Sequence, residues 1–338
     1  TLTIKGKTSK QFTRDHVIQI PSSYSFPVSI KISRITKDTG ASTPDKIKFI
    51  AMSTIIDEKL TYPNSAHTFF KFDSSEFQVL PKRIYKVRGI KVKIPSQGGN
   101  DLFPTVDNEN GRIVYPNNYL FDGQLSTAKT WTSDPAWILY ELLTNTVFGL
   151  GDYITESQLD VYSFFEASKY CSALVDNGEV EGIKEPRFSL NATINTREDA
   201  YKVVKDICSA FRAIPFYREG TLQINQDRPQ DTPNYIFNLS NVTSDGFTYV
   251  GTDLRERATR VSITYFNPKT LKNDVEQVDL EDLFGISNDT SAKNLLGEIH
   301  ERTAAFGCTS RGQAVRAARM LLFEEQRTTQ TVNFTTTT

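Results

Sequence analysis

The stretch of residues 187–226 constrains the fold more than any other part of this chain. At its centre, Ala200, Val203, Val204, Ile207, Cys208 and Phe211 follow i, i+3, i+4, i+7, i+8 and i+11. That spacing puts one continuous apolar stripe on a helix, which must then lie against a second layer. Thr196-Arg197-Glu198-Asp199 supplies the helix start, with capping residue types and acidic groups in the first turn. Strand patterns flank the helix at residues 187–194, 213–217 and 221–226, and Phe216-Tyr217-Arg218-Glu219-Gly220-Thr221-Leu222 reads as a hairpin turning at Gly220. Strand, helix, strand, strand in that order predicts an α+β unit with the helix packed across a sheet.

Three more helices announce themselves. Ser133-Asp134-Pro135 places a capping residue before a proline at the first helical position and predicts a helix over 136–144. Gly149-Leu150-Gly151 beyond it reads as the helix end. Thr155-Glu156-Ser157-Gln158 is a capping box for a helix to about residue 175, closed by Asn177-Gly178. Ser310-Arg311-Gly312-Gln313 is another, with Ala314, Ala317, Ala318, Leu321 and Leu322 on the inner face.

The first half is written in strand patterns, at residues 16–20, 28–35, 46–53, 67–72 and 83–94. Turn clusters separate them at 37–44 and at Pro63-Asn64-Ser65, and the alternation of 28–33 puts Val28, Ile30 and Ile32 on one buried face. Residues 96–118, rich in Gly, Asn, Pro and Asp, read as a long surface loop. Further strands are expected at 247–251, 259–266 and 331–335.

Composition excludes several classes of function. Lys plus Arg number 39 against 40 Asp plus Glu, a net charge of −1, so no basic field points to a dedicated nucleic-acid or anionic-membrane binder. A hydrophobic content of 38% suffices for packed cores, and no apolar run approaches the roughly 18 residues of a membrane span. The first residues already read as a strand instead of a signal peptide. The missing initiator Met and the run of Thr at 335–338 are expected of part of a longer chain.

Chemistry-bearing residues are scattered. Cys171, Cys208 and Cys308 are far apart and odd in number, as for buried thiols and not for a disulfide framework. His16, His67 and His300 lie in unrelated segments without the spacing of a zinc site. Glu141, Glu281-Asp282 and Glu324-Glu325 read as solvated surface charge. Arg311, Arg316 and Arg319 share a helix; the flanking acids favour intramolecular or interface ion pairs over a phosphate contact. No catalytic, cofactor-binding or metal-binding residue is expected, and no enzyme activity.

The ordered motifs are more informative. Leu60-Thr61-Tyr62-Pro63-Asn64-Ser65-Ala66 and Phe77 precede Pro81-Lys82-Arg83-Ile84-Tyr85 and Arg88-Gly89-Ile90-Lys91-Val92-Lys93-Ile94-Pro95. Asp134-Pro135-Ala136-Trp137-Ile138-Leu139-Tyr140-Glu141-Leu142-Leu143-Thr144-Asn145 and Phe148-Gly149-Leu150-Gly151 follow. Then come Glu185-Pro186-Arg187-Phe188, Arg197-Glu198-Asp199-Ala200-Tyr201, Gln226-Asp227-Arg228-Pro229 and Ala305-Phe306-Gly307-Cys308-Thr309-Ser310-Arg311-Gly312-Gln313-Ala314. From about Leu60 to the end this set resembles the central region of the tip attachment protein J family, the host-specificity proteins of lambda-like long-tailed bacteriophages. Two departures are Phe121-Asp122-Gly123, where the family usually has Trp before Asp-Gly, and the longer 96–118 loop.

The resemblance implies an α+β, predominantly β, multi-domain architecture like that of baseplate hubs, with tube-like β-domains and a few packed helices. With the patterns above it divides the chain into a β-sandwich-like domain or insertion at 1–57 and a β-rich hub segment at 58–130. An α+β hub domain at 131–300 follows, and a helix plus strand at 301–338 complete a tube-like domain. The implied role is a structural tail-tip hub at the distal end of the virion tail, made in the host cytoplasm and active in host attachment and DNA ejection. Implied partners are a homotrimer, neighbouring tail-tip and tail-tube proteins, and tape measure protein in the lumen. The host outer-membrane receptor would be met through C-terminal parts outside this sequence, and DNA only in transient passage. The alternatives are a receptor-binding adhesin module and a cell-wall hydrolase; no Cys–His pair or zinc spacing supports the latter.

Overall fold

The computed structural model describes residues 13, 15–21, 23–25, 27–33, 35, 48–53, 61–62, 65–69, 79, 82–178, 181–195, 198–230, 235–243, 245–251, 257–280, 283 and 299–336. The chain divides into two units, Thr1–Lys82 and Arg83–Thr338. Among the described residues of the first unit none lies in a helix or strand. Residues 16–20 and 28–33 therefore depart from expectation, with Ile30 and Ile32 exposed and not on a buried face. Alternation offers faces, but a strand exists only where a neighbouring edge takes up its backbone groups. Parts of 46–53 and 67–72, and all of 37–44, lie outside the described residues. The Tyr62 carbonyl accepts from the Ser65 N–H at 3.2 Å, while Pro63 and Asn64 of the expected turn lie outside the described residues.

The second unit is mixed α+β. Within 83–94 only β1, Lys91–Val92, is a strand, and the 96–118 loop contains β2, Thr105–Val106, paired with β3, Ile113–Val114. This loop is not a free surface excursion. Ile113 is fully buried, Tyr119 is buried, and the Tyr119 hydroxyl donates to the Ser96 carbonyl at 2.8 Å. Its aromatic and branched residues carry it into the core although its Gly and Asn content reads as solvated. β4, Thr130–Trp131, pairs antiparallel with β1.

Helix α1, Pro135–Thr144, starts as expected, with the Asp134 carboxylate accepting from the Ala136 and Trp137 N–H groups. Gly149 and Gly151 fold back onto its C-terminal turn. A Cβ on Gly149 would stand 2.0 Å from the Leu142 carbonyl oxygen, and one on Gly151 2.3 Å from that of Thr144. Only glycine permits so close an approach of backbone to backbone.

The single helix expected over 155–175 is broken. Glu156–Gln158 makes one 3₁₀ turn, Leu159 bridges to Leu222, and Asp160 then caps α2, Val161–Ser172. The Asp160 N–H donates to the Leu222 carbonyl at 3.0 Å, so a long-range partner takes the backbone group that a continuous helix would have used. Residues 174–176 are not helical but form β5, Leu174–Asp176, paired with β6, Lys184–Pro186; Gly178, at φ +72°, follows a strand and not a helix.

Residues 187–194 form no strand. The Leu190 N–H donates to Ser133 and that of Asn191 to Gly307, so these groups are spent on separate elements instead of one ladder. Helix α3, Ala200–Ser209, is capped by Asp199, whose side chain accepts from the Tyr201 and Lys202 N–H groups, so Asp199 is the cap and not a first-turn acid. Val204, Ile207 and Cys208 are buried along the expected stripe. The hairpin of β7, Ala213–Arg218, and β8, Thr221–Gln226, follows with Glu219 at φ 51° and Gly220 at φ 84°. Two central residues with positive φ match a turn that favours Asn-Gly. Glu219→Asn should therefore raise stability by about 0.5–1 kcal/mol, read as an upward shift in thermal midpoint.

Beyond β9, Thr248–Gly251, comes the longest ladder, β10, Arg260–Asn267, against β11, Lys272–Asp279. β12, His300–Ala304, adds to β10 in parallel, and α4, Arg311–Arg327, lies on this sheet. β13, Gln330–Asn333, pairs antiparallel with β9. No sheet among the described residues closes into a barrel, and no described helix is long and apolar enough to cross a membrane. Two cores result. One gathers Trp137, Leu139, Phe164 and Ile207 from the three earlier helices, with Phe211 just beyond α3; the other packs Ala314, Ala318 and Leu322 of α4 onto Val261 and Ile263.

Candidate functional site

Two polar joints hold these cores, and the motif residues concentrate in them. At the first, the Ser168 hydroxyl on α2 donates to the second oxygen of Asp134 at 2.7 Å and lies 2.6 Å from the Tyr115 hydroxyl. The Trp137 indole N–H donates to that same hydroxyl at 3.0 Å. Burial pushes the Asp134 carboxyl up from 3.8 to about 6, against the hydrogen bonds from Ser168, Trp137 and Ala136. Burial also lifts the Tyr115 phenol, so it stays neutral and can donate.

The sign of the pH effect follows. A carboxyl raised in the folded state favours folding while protonated, below its ordinary value, and that contribution is lost as pH rises through about 6. Asp134→Asn keeps an acceptor for both helix N–H groups while removing the titration. The wild type is expected to lose about 2–2.5 kcal/mol relative to this variant between pH 4 and pH 7, measured by denaturant unfolding at each pH.

The second joint is the start of α4. Ser310 caps the helix by accepting from the Gln313 N–H at 3.3 Å, but the box expected there does not close. Gln313 instead reaches across, accepting from the Ser189 N–H at 3.0 Å and donating to the Ser189 carbonyl at 3.2 Å. The Ser310 hydroxyl donates to Glu185, whose other oxygen takes Arg316 at 2.6 Å. Arg316 also donates to the Arg187 carbonyl at 3.0 Å. The α4 start is so close that a Cβ on Gly312 would lie 2.4 Å from both the Asn177 carbonyl and Glu185. Gly307, at φ +61°, packs against Leu190, and Cys308 donates to the Ser310 carbonyl.

The remaining singled-out residues are structural. Glu141 is buried, against the expectation of solvated charge, because Lys129, Asn145 and the Lys93 N–H satisfy it; burial raises its carboxyl, but these bonds more than offset this and leave it below its ordinary value. Arg311 pairs with Glu276 at 2.7 Å, so two of the three helix arginines serve intramolecular pairs; Arg319 is exposed. Burial, then Asp227, raise the Glu324 carboxyl, while Glu281 and Asp282 lie outside the described residues. His300 meets the Ser262 hydroxyl at 2.6 Å, His67 packs edge-on to Tyr62, and His16 is exposed. All three cysteines are free and buried. Among the described residues no group of three or more His, Cys, Asp or Glu could hold a metal. The Ser189–Gln313 and Glu185–Ser310 contacts escaped sequence reasoning, since well over a hundred residues separate the partners.

Both joints consist of caps, ion pairs and hydrogen bonds between elements of the fold. A family model described as "Putative phage tail protein" matches residues 199–338. Over 335 residues the chain is 32% identical to Tip attachment protein J of Escherichia phage SECphi27, covering 98% of this chain and 26% of that protein. Over 327 residues it is 28% identical to Tip attachment protein J of Escherichia phage SECphi4, covering 96% and 27%. The chain thus spans about a quarter of the length of these curated relatives. The resemblance to tip attachment protein J read from the ordered motifs holds over nearly the whole chain, and supports a phage tail-tip protein.

Proposed function

We propose that this chain is the hub of a phage tail tip, three copies of which form a ring that closes the distal end of the tail tube. The observation that carries this reading is the alignment of almost the whole chain with proteins named for tip attachment. The tightly bonded joints suit a load-bearing ring. In this reading the ring carries the receptor-binding parts, contacts neighbouring tail-tip and tail-tube proteins, and surrounds a lumen that holds tape measure protein and later passes DNA. Its tube-like closure arises between copies, and its residence is the distal tail of the virion. Sedimentation should find the purified chain at three copies, and antibody labelling should mark the distal tail end. A stable monomer that joins neither tube nor tip proteins would contradict the proposal.

A further inference from the structure

The end of α1 brings an amine, an amide and a buried carboxylate onto a single oxygen. Glu141 and the C-cap Asn145 lie one turn apart on the same side of the helix, and Lys129 stands just before β4. Glu141 Oε1 accepts from the Lys129 amine at 2.5 Å and from the Asn145 side-chain amide at 2.8 Å. Its Oε2 takes the Lys93 N–H at 3.4 Å. The Glu141 side chain is 5% exposed and that of Lys129 41%.

The Asn145 side-chain carbonyl is held as well. Its Oδ1 accepts from the Val147 N–H at 2.8 Å and from the Phe148 N–H at 3.3 Å. Two backbone donors on one carbonyl oxygen polarise the carbon and stabilise negative charge that develops on that oxygen during attack. An Asx turn accounts for these two bonds, and an ion pair for the Lys129–Glu141 contact. Neither requires that the same Asn present its nitrogen to the carboxylate that holds the amine. Together they make a nucleophile, a base, a fixed electrophile and an oxyanion site.

We propose that Lys129 and Asn145 join covalently, Glu141 promoting an amide bond between Lys129 Nζ and Asn145 Cγ with release of ammonia. Burial raises the Glu141 carboxyl, but its hydrogen bonds keep it ionised, so it can take a proton from the Lys129 ammonium. The Lys129 stem is flexible, and its rotation carries the neutral amine to the roughly 3–3.5 Å from Cγ that attack requires. As the new C–N bond forms, the carbonyl electron pair moves onto Oδ1, against the Val147 and Phe148 N–H groups. Glu141 gives its proton to the Asn145 nitrogen and takes one from the attacking nitrogen. The old C–N bond breaks, the carbonyl re-forms, and ammonia departs with the proton that Glu141 then returns. Ammonium plus amide become amide plus ammonium, and no oxidant, reductant or cofactor takes part.

The bond ties the start of β4 to the end of α1. It restricts the unfolded chain as a disulfide would, in a chain whose three cysteines are all free. It does not depend on the ring reading.

Intact-mass spectrometry of the purified chain tests it, with peptide mapping to place the bond. The folded wild type is expected to be lighter by the mass of one ammonia, and trypsin should no longer cut after Lys129, whose free amine it recognises. Lys129→Arg keeps the positive charge without this nucleophile and should retain its full mass. Glu141→Gln keeps a hydrogen-bonding side chain without the base and should slow the loss by about a hundredfold or more. Circular dichroism checks that each variant is folded. A wild type of unreduced mass after prolonged incubation at neutral pH overturns the proposal, as does an unchanged rate in folded Glu141→Gln. Ammonia loss that persists in Lys129→Arg also overturns it, because Asn145 would then be closing on its own backbone.

Discussion

Replacing Trp137 by alanine is expected to destabilise the folded chain by about 3–5 kcal/mol, the largest effect of any single substitution considered. The indole is fully buried on α1 and meets Phe121 and Tyr140 edge-on at 6.3 and 5.7 Å between ring centroids. Its removal leaves a cavity that rigid neighbours fill poorly, because core side chains sit interlocked. It also removes the N–H that the Tyr115 hydroxyl accepts, loosening the chain of bonds through Ser168 to Asp134. Trp137→Phe separates the two effects. It keeps most of the packing, loses the hydrogen bond, and should cost about 1–2 kcal/mol. Urea unfolding of both variants gives the comparison.

The second large effect is expected at the start of α4. Glu185→Ala should cost about 2–3 kcal/mol, since the carboxylate is lost while Arg316 stays partly enclosed. The side chains of Arg316 and Glu185 are 27% and 18% exposed, and this partial solvation keeps the cost below that of a fully buried pair. Ser310 loses its acceptor in the same step, so the helix cap loosens together with the ion pair. Because this joint links the segment 184–190 to the core beneath α4, the loss should be local at first. Hydrogen exchange is expected to quicken in α4 and the β10–β11 ladder before it quickens in α1. Equal acceleration in both cores would contradict a joint at this point.

Local elements could be read from the sequence where local physics decides them. α1 follows from Asp134-Pro135, α3 from its apolar stripe, and β7 and β8 from a turn at Glu219-Gly220. Elements decided by distant partners could not. Leu222 interrupts the helix expected after Thr155, and Ser189 draws Gln313 away from its box. β11 escaped because Lys272–Asp279 is mostly polar and becomes a strand through its ladder with β10. The strand patterns at 16–20 and 28–33 failed for the converse reason, since apolar alternation there meets no strand edge among the described residues. The caps at Asp134 and Ser310 could be read from the motifs, but the close approaches and cross-links emerged only from geometry.

The central claim, a ring of copies around the tail axis, is tested most directly by a symmetry-resolved image of the tail tip. Three copies of this segment around the axis are predicted. A single copy, or copies dispersed on fibres away from the axis, would contradict it.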